Sequence, residues 1–162
     1  PGHGTPNATI ALVGEAPGVN EDREGEPFVG VAGALLDSIL ADIGLTRTAL
    51  FISNVVHCRP PDNNLRAVPD ALVRCPPLWL YNELDALPNL RVVVAMGATA
   101  AMLWLPGRRV GDVSKLARAL PNGRVVIGSY HPAAALHDAS GREHVLGSIR
   151  ESLLRARMIA GG

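Results

Sequence analysis

Four short apolar runs constrain the fold of this chain more than any other feature. They occupy residues 10–13, 50–56, 91–97 and 124–130. Each is rich in aliphatic residues and too short for a core helix, which predicts strands buried on both faces. The segments between them carry apolar residues at intervals of three and four, which predicts helices. This alternation predicts an α/β fold, a three-layer α/β/α sandwich around a central four-stranded, mainly parallel sheet.

The predicted helices cover residues 31–43, 69–87, 98–105 and 141–158, with a break or restart at Pro76 and Pro77. The charged residues 19–27 are predicted to form a loop. Residues 110–120 fit a weak helix or an irregular hairpin.

Length and charge limit the class of protein. A chain of 162 residues is enough for one core, so residues 1–162 are expected to form one domain. Lys and Arg together number 15, as do Asp and Glu, so charge alone does not indicate a nucleic-acid-binding protein. No run approaches the roughly 18 apolar residues that span a bilayer, and no signal pattern opens the chain. We expect a monomer in the cytoplasm, without a membrane partner.

Three predicted strands end in residues suited to chemistry, namely Glu15, Asn54 and His131. Because the carboxyl ends of parallel strands lie at one edge of the sheet, these side chains can converge on a ligand. Each also has a structural interpretation. Glu15 can cap the next helix, Asn54 can be a satisfied buried amide, and His131 can be a turn residue.

An isolated aromatic residue, Phe28, stands between the charged segment and Gly30, outside any apolar stripe. It either fills the core beneath the loop or presents its ring to a ligand.

The motifs together are far more specific than any one of them. They are Gly-Glu-Ala-Pro-Gly at 14–18, Pro-Phe-Val-Gly at 27–30, Ser-Asn-Val-Val-His-Cys-Arg-Pro-Pro at 53–61 and His-Pro-Ala at 131–133. In this order the chain closely resembles the uracil-DNA glycosylase superfamily. The nearest branch is family 4, the bacterial and archaeal enzymes with an iron–sulfur cluster.

The resemblance implies roles for the site residues. Glu15 would act on the attacking water or stabilise the sugar cation, and Ala16 would belong to the wall of the base pocket. Phe28 would stack on the flipped base, and Asn54 would recognise the edge of uracil. His131 would hydrogen-bond uracil O2 as negative charge moves onto the leaving base.

The resemblance also implies a DNA-binding surface. Uracil-containing DNA, double- or single-stranded, is the expected partner. Arg59 and the loop with Pro132, Ala133 and Leu136 would contact it, the loop as a wedge in the minor groove. The family usually has Arg where this chain has His137, so we expect weaker engagement of DNA.

Family 4 enzymes bind their cluster with four cysteines, and Cys58 and Cys75 match two of them. The other pair is absent from the sequence, and two thiolates cannot complete the usual ligation. We therefore predict no cofactor, and a cluster only if upstream cysteines are missing from this sequence. Substitution by His3 or His57 is the alternative.

The resemblance implies a monofunctional glycosylase that hydrolyses uracil from DNA and leaves an abasic site. Two alternatives stay open. One is a non-catalytic protein that binds uracil-containing or damaged DNA, and the other is a glycosylase for a different deaminated base.

Overall fold

A single mixed sheet forms the centre of the molecule in a computed structural model, which describes residues 1–105, 109–114 and 116–161. Its spatial order is β1-β3-β2-β4-β6-β5. The strands are β1 (His3–Gly4), β2 (Ile10–Gly14), β3 (Phe51–Asn54), β4 (Val92–Met96), β5 (Ala117–Ala119) and β6 (Val125–Ser129).

Helices and helical turns connect the strands. The α-helices are α1 (Val19–Glu24), α2 (Val31–Asp42), α3 (Ala71–Cys75), α4 (Tyr81–Asp85), α5 (Ala98–Ala101), α6 (Val110–Val113), α7 (Ala134–His137) and α8 (Arg142–Ile159). Short 3₁₀ helices lie at Arg47–Ala49, Pro61–Asn63 and Leu65–Ala67, and a π-helical turn at Pro76–Leu80. Of these described helices, none has the length and apolar character needed to cross a bilayer.

The four strands predicted from the sequence are the four parallel strands at the centre of the sheet. β2 pairs in parallel with β3 and β4, and β4 pairs in parallel with β6. The predicted number of strands is too low, because β1 and β5 add antiparallel edges. Both have only two or three exposed residues, so neither carries the apolar run that reveals a buried strand.

Two apolar clusters cover opposite faces of this sheet, which confirms the three-layer architecture. Ile10 and Leu12 belong to the cluster with α2 and α8, whereas Ala11 and Val13 belong to the cluster with α4 and α5. Successive side chains of a strand point to opposite faces. This explains why the first run is apolar at every position.

One local prediction is wrong. Residues 19–24, predicted as a loop, form helix α1, because the Glu21 carboxylate accepts a hydrogen bond from the Gly18 N–H, three residues earlier, at 2.9 Å. At Pro76, where the sequence predicts a break or restart of the helix, α3 has ended and a π-helical turn joins it to α4. Residues 110–120 contain both α6 and β5, with Lys115 outside the described residues.

Candidate active site

A cavity of about 210 Å³ opens at the carboxyl ends of the parallel strands. The residues that line it include Ala16, Glu21, Phe28, Asn54, His131 and Leu136. They come from four separate segments of the chain. The parallel sheet therefore brings together residues that lie more than a hundred positions apart in the sequence.

Asn54 reaches the cavity as the last residue of β3, paired in register with Gly14 at the end of β2. It is 7 % exposed. A Cβ on Gly14 would lie 2.7 Å from Asn54 Oδ1 and 2.6 Å from Phe28 Cζ. Because atoms cannot approach so closely, only glycine at this position leaves room for both side chains.

Phe28 satisfies both interpretations offered by the sequence. It packs in the apolar cluster beneath α2, is 5 % exposed, and also lines the cavity. Its ring stacks on His131 with the centroids 5.1 Å apart and 22° between the planes. Its φ is +55°, in the left-handed region that bulky residues rarely adopt. The position of the ring therefore depends on an unusual backbone conformation.

His131 lies two residues after the end of β6, and the hydrogen bond to its ring shows which ring nitrogen can act as a hydrogen-bond donor. The Ala133 N–H donates to His131 Nδ1 at 3.0 Å, so in the neutral ring the hydrogen resides on Nε2. Burial lowers the pKa of His131, and the nearby charges of Glu15 and Glu21 only partly oppose this effect. At neutral pH the ring is therefore an uncharged donor through Nε2.

Glu15 lies just beyond β2 with an exposed side chain. Thr99 Oγ1, from α5, donates to Glu15 Oε2 at 2.6 Å. This contact holds the carboxylate at the sheet edge, close enough for its charge to act on His131. The helix-capping role considered for Glu15 belongs to Glu21 instead.

Glu21 is the main residue that sequence reasoning undervalued. Besides Gly18, it accepts hydrogen bonds at Oε2 from the N–H groups of Val29 and Gly30, at 3.0 and 3.1 Å. One carboxylate thus ties together the two loops that form the cavity walls. The sequence did contain a signal for this role, because a Glu three residues after the N-cap of a helix is a known capping pattern.

A second polar network lies behind Asn54 and was also not predicted. Glu83 accepts hydrogen bonds from Ser53 Oγ at 2.7 Å, His57 Nε2 at 2.9 Å and the Gly2 N–H at 2.6 Å. Burial raises the pKa of Glu83, but these hydrogen bonds outweigh it and lower the pKa below its ordinary value. The network connects β3 and the segment after it to α4.

The residues predicted to contact DNA lie in two places. Leu136 is 40 % exposed at the rim of the cavity and lies in the short helix α7, which follows the buried Pro132 and the half-buried Ala133. Arg59 lies on the loop after β3, where its Nε donates to Asn63 Oδ1 at 2.8 Å. The structure brings Leu136 to the cavity and places Arg59 on a separate loop.

An iron–sulfur cluster does not fit the residues that the structure describes. Cys58 is exposed and Cys75 is half-buried, and both are free thiols. Within residues 1–105, 109–114 and 116–161, no group of three or more His, Cys, Asp or Glu side chains could hold a metal ion. Two thiolates leave a four-cysteine cluster incomplete.

Comparison with known proteins identifies the family. The family described as "Uracil DNA glycosylase superfamily" matches residues 1–152. A type-4 uracil-DNA glycosylase of Sulfurisphaera tokodaii is 39 % identical over 151 residues, covering 88 % of this chain and 68 % of the relative. One from Archaeoglobus fulgidus is 41 % identical over 155 residues, covering 88 % and 74 %. A type-5 enzyme of Thermus thermophilus is 36 % identical over 150 residues, covering 81 % and 67 %. With the fold and the motifs at the cavity, these matches show that the chain belongs to the uracil-DNA glycosylase superfamily.

Proposed function

We propose that this chain is a monofunctional uracil-DNA glycosylase, which hydrolyses the N-glycosidic bond of a flipped-out uracil and leaves an abasic site. The observation that carries the proposal is the cavity in which Phe28, Asn54 and His131 meet. It supplies an aromatic face, a side-chain amide and an uncharged hydrogen-bond donor. These are the three groups that recognition and departure of a pyrimidine base require.

Asn54 selects the base. Its side-chain amide offers one acceptor to uracil N3–H and one donor to uracil O4, whereas cytosine presents the reverse pattern. Because Asn54 is nearly buried, a wrong base would leave its polar atoms unpaired. The ring of Phe28 forms an apolar surface for the flipped base.

His131 stabilises the leaving group. As the glycosidic bond breaks, negative charge moves onto uracil, and Nε2–H can donate to uracil O2. A preorganised donor of this kind lowers the barrier by about 3 kcal/mol. The hydrogen bond from the Ala133 N–H to Nδ1 keeps the hydrogen on the nitrogen that is free for this role.

Glu15 supplies negative charge where the sugar becomes positive. Cleavage of the bond gives the deoxyribose oxocarbenium character, and the carboxylate held by Thr99 can stabilise this cation or orient the attacking water. Glu15→Gln separates the two roles. It keeps a hydrogen-bonding oxygen for water but removes the charge.

The surface around the cavity binds the DNA. We propose that Leu136, with Pro132 and Ala133 behind it, enters the space that the flipped base vacates, and that Arg59 contacts the backbone. Extrusion costs a few kcal/mol and least for a mispaired base, so uracil opposite guanine is a favourable target.

Alkali cleavage of a labelled oligonucleotide with one uracil tests the proposal. The protein should make the strand alkali-labile at the uracil only, and the strand should stay intact before alkali is added. A matched oligonucleotide with cytosine at that position is the control. Retention of the uracil strand without cleavage would favour a non-catalytic binding protein. Cleavage only at hypoxanthine or xanthine would favour a glycosylase for another base.

We further propose that residues 1–162 act as one domain and as a monomer. The two apolar clusters on opposite faces of one sheet support the single domain. Light scattering during gel filtration tests the monomeric state, and a mass of twice 17.0 kDa would contradict it.

A further inference from the structure

The left-handed backbone of Phe28 needs an explanation. A bulky residue at φ +55° is unfavourable unless its surroundings hold it there. The position of this residue is also critical for the cavity, because its ring stacks on His131 and its Cζ would lie only 2.6 Å from a Cβ on Gly14. Something must therefore fix the carbonyl groups of this loop.

Arg47 makes the contacts that do so. It stands at the start of the 3₁₀ helix before β3, and its Nη1 donates to Pro27 O at 2.9 Å. Its Nη2 donates to Phe28 O and, at 3.3 Å, to Gly33 O. The guanidinium therefore bonds successive carbonyls of the loop and one carbonyl in the first turn of α2.

The other side of the guanidinium is anchored as well. Arg47 Nε pairs with Asp37 Oδ1 on α2, and only 27 % of the Arg47 side chain is exposed. Since the fork is planar and rigid, fixing Nε also fixes the direction of both terminal nitrogens.

Gly33 completes the arrangement from the opposite direction. A Cβ on Gly33 would lie 1.8 Å from Phe28 O and 3.0 Å from Arg47 Nη2. The Phe28 carbonyl therefore lies directly against the backbone of α2, so close that a side chain at position 33 would clash with it. It is held between the helix and the guanidinium.

We propose that Arg47 is a positioning residue for base stacking, which holds the backbone of Phe28 in the left-handed conformation so that its ring faces the base cavity. The inference rests on the proposed function for its consequence in catalysis, but the placement of the ring is independent of it. Arg47 contacts neither the base nor the reacting atoms. Its hydrogen bonds are to Asp37 and to the backbone of Pro27, Phe28 and Gly33.

A double-mutant cycle between Arg47 and Phe28 tests the catalytic consequence. Arg47→Gln should lower the single-turnover rate constant for uracil release at least tenfold. Arg47→Lys keeps the charge but lacks the planar fork, and should lower it at least threefold. In a Phe28→Ala background, Arg47→Gln should change the rate less than twofold, because the ring it positions is gone. Equal effects in both backgrounds, or full activity of Arg47→Lys, would overturn the proposal.

Arg150→Gln is the matched control. Arg150 approaches Asp42 of α2 at 3.8 Å, so this variant also removes an arginine–aspartate contact on α2, yet it does not touch the Phe28 loop. Its rate should equal that of the unmodified chain. Thermal melting of every variant separates loss of fold from loss of positioning.

A second measurement does not depend on activity. The Phe28 ring current acts on the His131 ring, whose aromatic NMR signals can be assigned with His131→Asn. Arg47→Gln should shift these signals towards their positions in Phe28→Ala, and Arg150→Gln should not. Unmoved signals in Arg47→Gln would overturn the inference. If the unmodified chain released no uracil but the signals moved, the proposed function would fail and the positioning role would stand.

Discussion

Gly14→Ala should greatly slow uracil release, because the added methyl group displaces Phe28 and Asn54 in the cavity. The added Cβ would lie 2.6 Å from Phe28 Cζ and 2.7 Å from Asn54 Oδ1, whereas ordinary contacts begin at 3.4 Å. The ring must therefore retreat by about 0.8 Å and the amide by nearly as much. The stacking on His131 limits where the ring can go.

The expected cost follows from that displacement. A misplacement of about 1 Å in an active site can reduce the rate about 100-fold, which corresponds to about 2.7 kcal/mol of barrier height. Overpacking also costs about 1–3 kcal/mol of folding stability. The assay is single-turnover uracil release, at a temperature where circular dichroism shows the variant to be folded.

Gly147→Ala is the control for this substitution. Gly147 lies in α8, and nothing is within 4 Å of a Cβ placed there. This variant should keep full activity and gain about 0.5–1 kcal/mol of stability, as helical glycines replaced by alanine do. A folded Gly14→Ala protein with a rate within threefold of Gly147→Ala would refute the steric argument.

Three further predictions concern the same site, and a fourth concerns the iron–sulfur cluster. His131→Ala should slow uracil release by a factor of about 100–1,000, measured under single turnover, because it removes the leaving-group donor. Burial lowers the folded-state pKa of His131 below 6.5, so the folded protein binds a proton there less readily than the unfolded chain does. The contribution of the neutral ring to the free energy of unfolding is therefore complete above pH 6.5 and is lost as pH falls towards the folded-state pKa. In urea denaturation, the free energy of unfolding should depend less on pH for His131→Asn. Asn54→Asp should lose preference for uracil over cytosine on paired oligonucleotides, because the carboxylate cannot donate to O4. Iron and acid-labile sulfide assays should find neither in the purified chain, and stoichiometric iron with sulfide would contradict that prediction.

The sequence revealed the parts of the molecule that follow from burial and periodicity. The central strands were predictable because each is apolar on both faces, as Ala11 and Leu12 show by packing in opposite clusters. The edge strands β1 and β5 were not, since exposed strands of two or three residues carry no such pattern. The number of strands in the sheet therefore follows from backbone pairing in the structure, and the amino-acid composition does not predict it.

The candidate site likewise contains some residues that the sequence predicted and others that it did not. Asn54, Phe28 and His131 were identified from motifs, and strand topology explains why they meet. Glu21 and Arg47 escaped prediction because their importance lies in hydrogen bonds to backbone groups of distant loops. A sequence pattern indicates which side chains are polar, but not which carbonyl or N–H group they will reach.

The most direct test of the whole account is the stoichiometry of the reaction. Excess protein is incubated with an oligonucleotide holding one uracil, and free uracil and abasic strand are each quantified by mass spectrometry. We expect equal amounts of the two products, none from the cytosine control, and a formation of both that is about 100–1,000-fold slower in His131→Ala. Binding of the strand with no free uracil would contradict it.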